Sequence, residues 1–233
     1  MVFRVDEAVF EKFPGLTIGV VVAMGIDNRR DDGRAAVFLS KHVAQIRDTW
    51  TLDRLDEDPK IAAWRDAYRA FGAKPKKHRS SIENMIRMIL DGSGVPSINV
   101  AVDVYNAISL EHCVPIGGDD LDRVVGDIRL TFATGDERFV PLNGSEVVAP
   151  KPGEVIYRDD EDVLCRRWNW RECDKSKMSE ESVHLCLVVE ALPPIATDDV
   201  RRIAVELAEA IEAGCGGSVA ARLATCETPS VEI

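Results

Sequence analysis

The sequence lacks the patterns on which membrane, metal and nucleotide sites depend. Its longest apolar stretch, Leu16–Met24, is far shorter than the roughly 20 residues that a membrane helix needs. The six cysteines include no Cys-x-x-Cys pair, and no His lies at zinc-finger spacing from a Cys pair, so we expect reduced thiols and no metal site. Walker, Rossmann and Gly-x-Ser-x-Gly patterns are absent too. Phosphoryl transfer, dinucleotide binding and serine esterase chemistry therefore lose support, and we expect no cofactor.

Positive charge is also scarce. Lys and Arg together number 29 against 40 Asp and Glu, which leaves a formal net charge of -11. Neutralisation of phosphates by Lys and Arg supplies most of the non-specific affinity for nucleic acids, so the composition speaks against a broad nucleic-acid surface. Any nucleic acid must be held locally and briefly. The N-terminal residues 1–6 lack the basic, apolar and small-residue order of a signal peptide, and we expect a cytoplasmic protein with no membrane contact.

What the sequence does contain is typical of a globular protein. Of its 233 residues, 45% are hydrophobic and 30% are charged, and no Gly-, Ser- or Pro-rich linker divides them. We therefore expect one domain over residues 1–233 with a loose tail at 226–233, while the oligomeric state stays open.

Helical patterns fill the first half and strand patterns fill the second, which indicates an α+β fold rather than alternating βαβ units. The expected helices are 32–50, 58–72, 80–89, 97–110 and 197–213, the last ended by Gly214. The expected strands are 16–23, a hairpin of 127–133 with 138–142, and then 155–158, 163–167 and 183–191.

Two segments of the middle region carry unusual polar residues. Asn106 follows Tyr105 on a predicted helix, where it is either a satisfied core contact or a site residue. Gly117 and Gly118 precede two Asp residues in a predicted turn. Such glycines allow close backbone approach and can offer amide donors to an oxyanion, although a plain capped turn explains the same residues.

Two later segments also contain residues that have either a structural or a functional role. Residues 165–174 place two Trp beside three Arg and an Asn, a mixture suited either to binding bases and phosphates or to a cation–π cluster under a loop. Glu190 stands in an apolar strand, where it either faces outward or lines a pocket with a shifted pKa.

The stretch from about Pro96 to Leu192, with Lys74–Ser81 before it, resembles the editing domain of the phenylalanyl-tRNA synthetase beta subunit. It resembles free-standing relatives of that domain still more closely. Residues 103–106 continue without a gap through Pro115 to residues 120–123, as in the synthetase pattern Asp-Val-Thr-Asn … Gln-Pro-Met-His-Ala-Phe-Asp. The resemblance implies an α+β sandwich of unusual topology with flanking helices.

The same resemblance implies a set of site residues. It places the family's site Asn on Asn106 and its Glu on Glu190, while Tyr105 stands at the Thr position and Gly117 at the His position. Because that His helps to recognise tyrosine in the synthetases, the amino acid stays open here.

The implied activity is that of a free-standing aminoacyl-tRNA deacylase, which hydrolyses the ester of a mischarged tRNA. Its partners are the tRNA acceptor end, bound weakly, and the amino acid moiety. Asn106 and Glu190 would recognise the amino acid and place water, and the amides of Gly117 and Gly118 would stabilise the oxyanion. The remaining substrate-binding residues would be Tyr105 at the family's Thr position, Trp168, Asn169 and Arg171 around the adenosine end, and Lys76, Lys77 and Arg79 on phosphates. The alternative is a non-catalytic module that binds a tRNA end or an amino acid.

Overall fold

The computed structural model describes residues 1–29 and 33–233, and within these ranges the chain forms seven helices and ten strands. The helices are α1 (Glu7–Lys12), α2 (Arg34–Thr49), α3 (Leu52–Glu57), α4 (Pro59–Ala70), α5 (Ser81–Leu90), α6 (Val100–His112) and α7 (Thr197–Cys215). The strands are β1 (Val2–Val5), β2 (Thr17–Met24), β3 (Ile116–Asp120), β4 (Ile128–Phe132), β5 (Val155–Arg158), β6 (Val163–Arg166), β7 (Arg171–Glu172), β8 (His184–Ala191), β9 (Ser218–Ala224) and β10 (Ser230–Glu232). The predicted mixture of helices and strands is confirmed.

The strands form two sheets. The first has the order β10-β1-β4-β5-β6-β7, and the second has the order β3-β8-β2-β9. The pairing of β1 with β4 is parallel, whereas the other pairings between these strands are antiparallel. Both sheets therefore combine strands from distant parts of the sequence.

The central strands of the second sheet, β2 and β8, are buried on both faces. Along β2, Ile18 and Val20 belong to an apolar cluster that also contains Phe3 and Leu130 of the first sheet. Val21, on the opposite face, belongs to a cluster built with α6 and α7. A strand covered on both sides reads as a continuous apolar run, which is why the sequence pattern located β2 correctly.

Two of the predicted helix starts are capped by side chains. The Asp58 carboxylate accepts from the backbone N–H groups of Lys60 and Ile61 at 2.9 and 3.2 Å, and Pro59 occupies the first helical position of α4. The Ser80 side chain accepts from the Glu83 N–H at the start of α5. This second cap fixes where α5 begins, and thereby places Ser81 beside the site described below.

Other predictions are wrong or fall outside the described residues. The hairpin of 127–133 with 138–142 does not form, because β4 pairs with β1 and β5 instead, and Arg138 and Phe139 make only isolated bridges. Residues 230–232 of the expected loose tail form β10, paired with β1. Helix α7 continues through Gly214 to Cys215. The predicted start of α2 at Asp32 lies outside the described residues.

Within the described ranges, no helix is both long enough and apolar enough to span a bilayer.

Candidate functional site

Glu190 lies near the end of β8, on the face that looks toward the first sheet. Alternation along the strand puts it on the same face as Cys186 and Val188, both members of the apolar cluster between the sheets. Only 1% of its surface is exposed. A carboxyl group at this depth must be hydrogen-bonded or neutral, because an unpartnered buried charge costs several kcal/mol.

Two neutral donors hold the Glu190 carboxyl. The Tyr157 hydroxyl donates to Oε1 at 2.6 Å, and the Asn169 side-chain amide donates to Oε2 at 2.7 Å. Asn169 is oriented in turn by Tyr68 of α4, whose hydroxyl donates to Asn169 Oδ1 at 2.9 Å. This chain of hydrogen bonds links both sheets and α4 to one carboxyl group.

The turn after β6 brings Asn169 into place. Arg167 and Trp168 adopt left-handed backbone conformations, with φ of 49° and 67°. Trp168 is fully buried against Trp64 and Phe13, with ring centroids 5.0 and 4.8 Å away. Trp168, which was predicted to hold the adenosine end of a tRNA, therefore presents no face to solvent and has its ring in the core.

The buried residues surround one narrow cavity between β3, β8 and the 165–172 segment. Its volume is about 20 Å³, room for one or two water molecules. Five of the predicted site residues line it, namely Gly117, Gly118, Trp168, Asn169 and Glu190. The remaining lining residues are Phe3, Ser81, Ile116, Asp119, Ile128, Tyr157, Cys165, Glu172, Cys186 and Val188.

The two glycines lie in strand β3, not in a loop. The Glu190 N–H donates to the Pro115 carbonyl at 3.0 Å, which makes 115 and 190 a hydrogen-bonded pair. Alternation in an antiparallel ladder then directs the Gly117 N–H to Val188 and leaves the Gly118 N–H pointing away from β8. Of the two predicted oxyanion donors, only the Gly118 amide is therefore free of the ladder.

Gly118 tolerates no side chain. A Cβ atom there would lie 2.2 Å from the Cys186 carbonyl oxygen and 2.8 Å from the Leu187 Cα. At Gly117 the same atom would lie 3.1 Å from Glu172 Oε1. The lack of a side chain at Gly117 thus keeps the cavity open toward Glu172, and the lack of one at Gly118 allows β3 to approach β8.

Three carboxyl groups face the cavity. Burial raises the pKa of Glu190 to about 7, although the hydrogen bonds from Tyr157 and Asn169 favour its ionised form. Burial likewise raises the pKa of Asp119 to about 7, against a hydrogen bond from Ser176. Burial, together with the charges of Asp119 and Glu190, raises the pKa of Glu172 well above its ordinary value. Groups this close titrate as a set, so the cavity holds protons near neutral pH.

The other ionisable groups of the cavity stay neutral. Burial raises the pKa of the Tyr157 hydroxyl and of the Cys165 and Cys186 thiols. A thiol with a raised pKa is a poor nucleophile, because the thiolate is the reactive form. Cys165 and Cys186 therefore contribute shape and apolar surface to the cavity.

Six of the predicted residues lie outside the cavity lining, and three of these are on α6 and β7. Asn106 and Tyr105 are half-buried on α6, and Arg171 is exposed on β7. Tyr105 is nevertheless near the cavity, since burial and the charges of Glu172 and Asp119 raise the pKa of its phenol. Of the predicted pair, Glu190 lines the cavity and Asn106 does not.

The predicted phosphate contacts line a different depression. Lys76 and Arg79 surround it together with Arg65, Arg69 and Arg87, and the acidic residues there are Asp56 and Glu83. Lys77 is exposed beside it. We call this surface the arginine-rich depression. It carries more positive than negative side chains although the whole chain is acidic.

The depression and the cavity are neighbours along the chain. Ser81, the first residue of α5, lines the cavity, and Arg79 lines the depression. His78, next to Arg79 in the sequence, contacts Trp170 with ring centroids 4.5 Å apart. The Arg167 guanidinium also lies over the Trp170 ring, 4.5 Å from its centroid. Trp170, which remains half-buried, is thus the aromatic residue of this loop that a base could reach.

The sequence pattern did not reveal Asp119, Tyr157 or Glu172 as cavity residues. Asp119 and Asp120 looked like alternative caps, and Asp120 does cap the following turn by accepting from the Asp122 N–H at 3.0 Å. Alternation in β5 would have turned Tyr157 inward, but its partner Glu190 is 33 residues away. Such a pairing depends on tertiary structure.

A separate group of potential metal ligands lies away from the cavity. Among the described residues, Glu111, His112 and Glu206 offer ligand atoms within 4.8 Å of one another, at the end of α6 and on α7. None of them lines the cavity, so the cavity chemistry is that of carboxyl, amide and hydroxyl groups.

A comparison with protein families decides the family of this chain. The model described as the B3/4 domain matches residues 63–208, which is more than half of the sequence. The chain belongs to the B3/4 domain family. The matched segment contains every cavity residue except Phe3.

Curated relatives of this B3/4 domain are beta subunits of phenylalanine–tRNA ligase. The Shewanella oneidensis subunit is 37% identical over 67 residues, which cover 29% of this chain and 8% of that protein. The Photorhabdus laumondii subunit is 28% identical over 118 residues, 51% of this chain and 15% of that protein. The predicted resemblance is confirmed, and the chain spans a small part of these relatives.

One solved structure is also similar. It is an N-terminal fragment of the phenylalanyl-tRNA synthetase beta subunit from Pyrococcus horikoshii, with 14% identity and a TM-score of 0.46 over 93% of this chain and 49% of that one.

Proposed function

We propose that this B3/4 domain is a free-standing aminoacyl-tRNA deacylase of the cytoplasm, which hydrolyses the ester between a wrong amino acid and the terminal ribose of a tRNA. The observation that carries the proposal is the position of Glu190. Its carboxyl is buried, oriented by Tyr157 and Asn169, and shares a cavity with the Gly118 amide. Family membership and relatives named phenylalanine–tRNA ligase supply the substrate class.

The chemistry needs no cofactor, because an aminoacyl ester is already activated. With a pKa of about 7, Glu190 is ionised in a large fraction of molecules at neutral pH and is suited to take a proton from water. The water oxygen adds to the ester carbonyl carbon while the Gly118 N–H stabilises the negative oxygen. The bond from that carbon to the ribose oxygen then breaks, and the proton passes to the ribose oxygen. The products are a free amino acid and an uncharged tRNA.

The tRNA end would reach the cavity past the arginine-rich depression. Its Arg and Lys side chains suit phosphate oxygens, and the acidic remainder of the surface limits the contact to a few phosphates. Trp170 contacts His78 of the basic loop and follows the cavity residue Asn169, and we assign it to stacking on the terminal adenine. We assign to Trp170 the role that the sequence suggested for Trp168, and we assign Asn169 to the orientation of Glu190 instead of the adenosine end.

Tyr105, Asn106 and Arg171 would act less directly. Tyr105 is close enough to Asp119 and Glu172 to sense their charge, and Asn106 neighbours it on α6. Arg171 precedes Glu172 on β7 and is open to solvent. We also infer a sandwich arrangement of the family kind, because one apolar cluster contains residues of both sheets.

The direct test is the release of labelled amino acid from a panel of mischarged tRNAs by purified protein. We expect hydrolysis of at least one member above the rate in buffer. If every tRNA of the panel keeps its amino acid, the proposal that the protein is a deacylase is wrong.

The second candidate is a module that binds a tRNA end or an amino acid without turnover. The narrowness of the cavity favours it, since a ligand larger than two waters has to displace side chains. Calorimetric binding of an uncharged tRNA or an amino acid, together with a panel that stays charged, would establish this alternative.

A further inference from the structure

Two His and two Glu side chains meet where α2 and α7 pack against α6, outside the cavity. Glu111 and His112 are the last two residues of α6, Glu206 lies on α7, and His42 lies on α2. We call these four residues the histidine–glutamate cluster. The proposed deacylation uses none of them. Imidazole and carboxylate groups are the ligands with which proteins bind transition metals such as zinc.

Three members of the cluster are spaced for one ion. The ligand atoms of Glu111, His112 and Glu206 lie within 4.8 Å of one another, and His112 Nε2 is 2.9 Å from Glu206 Oε2. The ligand atoms around a tetrahedral zinc ion lie about 3.4 Å apart, because each is about 2.0 to 2.2 Å from the metal. Small rotations of these side chains therefore allow one zinc ion to contact all three.

The ring of His42 supplies an independent observation. Its side chain is only 5% exposed, and its Nε2 is buried without a hydrogen-bond partner. That atom faces the cluster, 3.5 Å from Glu111 Oε2, which is within ion-pair distance but outside hydrogen-bond geometry. An imidazole nitrogen without a proton carries a lone pair, which a metal ion accepts and a carboxylate does not. A buried nitrogen left unpaired in this position therefore points to a bound cation.

The charges around the cluster suit a divalent ion. Burial lowers the pKa of His42, and the charges of Glu111, His112 and Glu206 also act on it, so all three groups lie near the ring. Within the described part of the chain, Glu111 and Glu206 pair with the two imidazoles and with no Lys or Arg. Two carboxylates balance the double charge of zinc, and the carbonyl end of α6 also favours a cation.

An ion can reach the cluster from solvent. The side chains of Glu111 and Glu206 are 40% and 36% exposed, and that of His112 is 15% exposed. His42 lies beneath them as the buried member. An incoming hydrated ion therefore meets the two carboxylates first and exchanges its water for the imidazoles afterwards.

We propose that the histidine–glutamate cluster binds one Zn²⁺ ion and thereby joins α2, α6 and α7. Four protein ligands fill a tetrahedral shell, so the site is structural and does not depend on the proposed function. The sequence predicted no metal site because that prediction tested zinc-finger spacing alone. His112 and Glu206 are 94 residues apart, and such a pair becomes visible only when the helices pack.

The probe is Zn²⁺ alone, titrated by calorimetry into the whole chain after EDTA treatment and removal of the chelator. Cys226 is an exposed thiol, so all titrations use a Cys226→Ser background that removes it as a competing ligand. We expect one Zn²⁺ per chain. Saturating Zn²⁺ should raise the melting temperature by at least about 4 °C, because a ligand that binds only the folded state stabilises it. Co²⁺ in the same site should show the intense visible absorption of a tetrahedral ion.

Matched variants locate the ion. Glu206→Gln should weaken Zn²⁺ binding at least about tenfold, whereas Glu209→Gln, an exposed change three residues later on α7 with the same loss of charge, should bind like the wild type. Melting in EDTA reports the folding of each variant, and Glu111→Gln replaces Glu206→Gln if the latter unfolds. No Zn²⁺ binding, or equal affinities in the Glu206 and Glu209 variants, would overturn the site. Tighter binding of Ca²⁺ than of Zn²⁺ would also overturn it, because the carboxylates would then act without the imidazoles.

Discussion

The Tyr157 hydroxyl and the Glu190 carboxylate meet at 2.6 Å between the two sheets, with both side chains buried. One residue comes from β5 of the first sheet and the other from β8 of the second. This bond therefore reports at once on how the sheets are packed and on the protonation of the candidate general base.

Tyr157→Phe tests that bond. The ring should keep its place near Phe3, but Glu190 loses a donor that favours its ionised form, so its pKa should rise further. We expect the midpoint of the pH–rate profile for deacylation to move up by about one unit, and stability at pH 8 to fall by about 1 to 3 kcal/mol. Tyr105→Phe is the matched control, since Tyr105 makes no bond to Glu190. If the midpoint of the pH–rate profile does not move in the Tyr157→Phe variant, Glu190 is not the group whose ionisation controls the reaction.

The buried carboxyl groups should make stability depend on pH. Asp119 and Glu190 have pKa values of about 7 against ordinary values of 3.8 and 4.5. A group with a raised pKa stabilises the fold fully below its unfolded pKa, and this contribution disappears as the pH rises through about 7. Glu190→Gln removes one such group, so the stability of the variant relative to the wild type should improve between pH 5 and pH 8, by at most about 3 kcal/mol.

The comparison with the variant is essential because other groups titrate in the opposite direction. Burial lowers the pKa of His78 to about 4, so that residue costs stability as the pH falls below its unfolded value. His78 is present in both proteins and cancels in the difference. Urea unfolding at pH 5 and pH 8 provides the four free energies. A difference that is independent of pH would contradict a raised pKa at Glu190.

The two glycines of β3 should respond differently to alanine. At Gly118 the new Cβ meets backbone atoms of β8, so Gly118→Ala should cost about 3 kcal/mol of unfolding free energy. At Gly117 it meets only the end of the flexible Glu172 side chain, and Gly117→Ala should cost less than about 1 kcal/mol. Thermal and urea unfolding of both variants tests this order. Equal costs would mean that β3 does not approach β8 as closely as the structure places it.

The basic loop should govern tRNA affinity. Lys76, Lys77 and Arg79 lie in or beside the arginine-rich depression, so changing all three to Glu should weaken tRNA binding and flatten its dependence on salt. Lys76 and Lys77 are exposed, so their changes should hardly alter the melting temperature, whereas Arg79 is half-buried and pairs with Glu83 at 3.7 Å, so the reversal of its charge should lower it. Lys12, Lys41 and Lys151 changed to Glu form the control with the same change of charge. Equal losses of affinity in both triple variants would assign the effect to net charge rather than to the loop.

Local patterns were sufficient to locate much of the secondary structure. The buried run of β2 and the helix starts at Asp58 and Ser80 depend on residues close to one another in the sequence, and each was predicted correctly. The hairpin after Asp127 was predicted from the same kind of evidence but fails, because β4 pairs in parallel with β1, about 125 residues earlier in the chain. A partner that distant leaves no signal in local alternation.

The site was predictable in the same uneven way. A Glu in the apolar strand β8 was a visible anomaly, and it does line a cavity. The burial of Trp168 was not visible, because a Trp beside Arg and Asn suggests a binding surface until Trp64 and Phe13 are seen to enclose it. The meeting of Asp119 with Glu172 also depends on the approach of β3 to β7, which the intervening residues do not encode locally.

The measurement that tests the central claim most directly is the deacylation rate of Glu190→Gln beside that of the wild type and Glu209→Gln. Gln fits the same space, with its oxygen toward the Asn169 amide and its NH₂ toward the Tyr157 hydroxyl, which can accept. It cannot take a proton from water. We predict that Glu190→Gln remains folded and hydrolyses the best substrate of the panel at least 100-fold more slowly, an effect in the range of general base catalysis, whereas Glu209→Gln matches the wild type. A folded Glu190→Gln variant with the full wild-type rate would contradict the account.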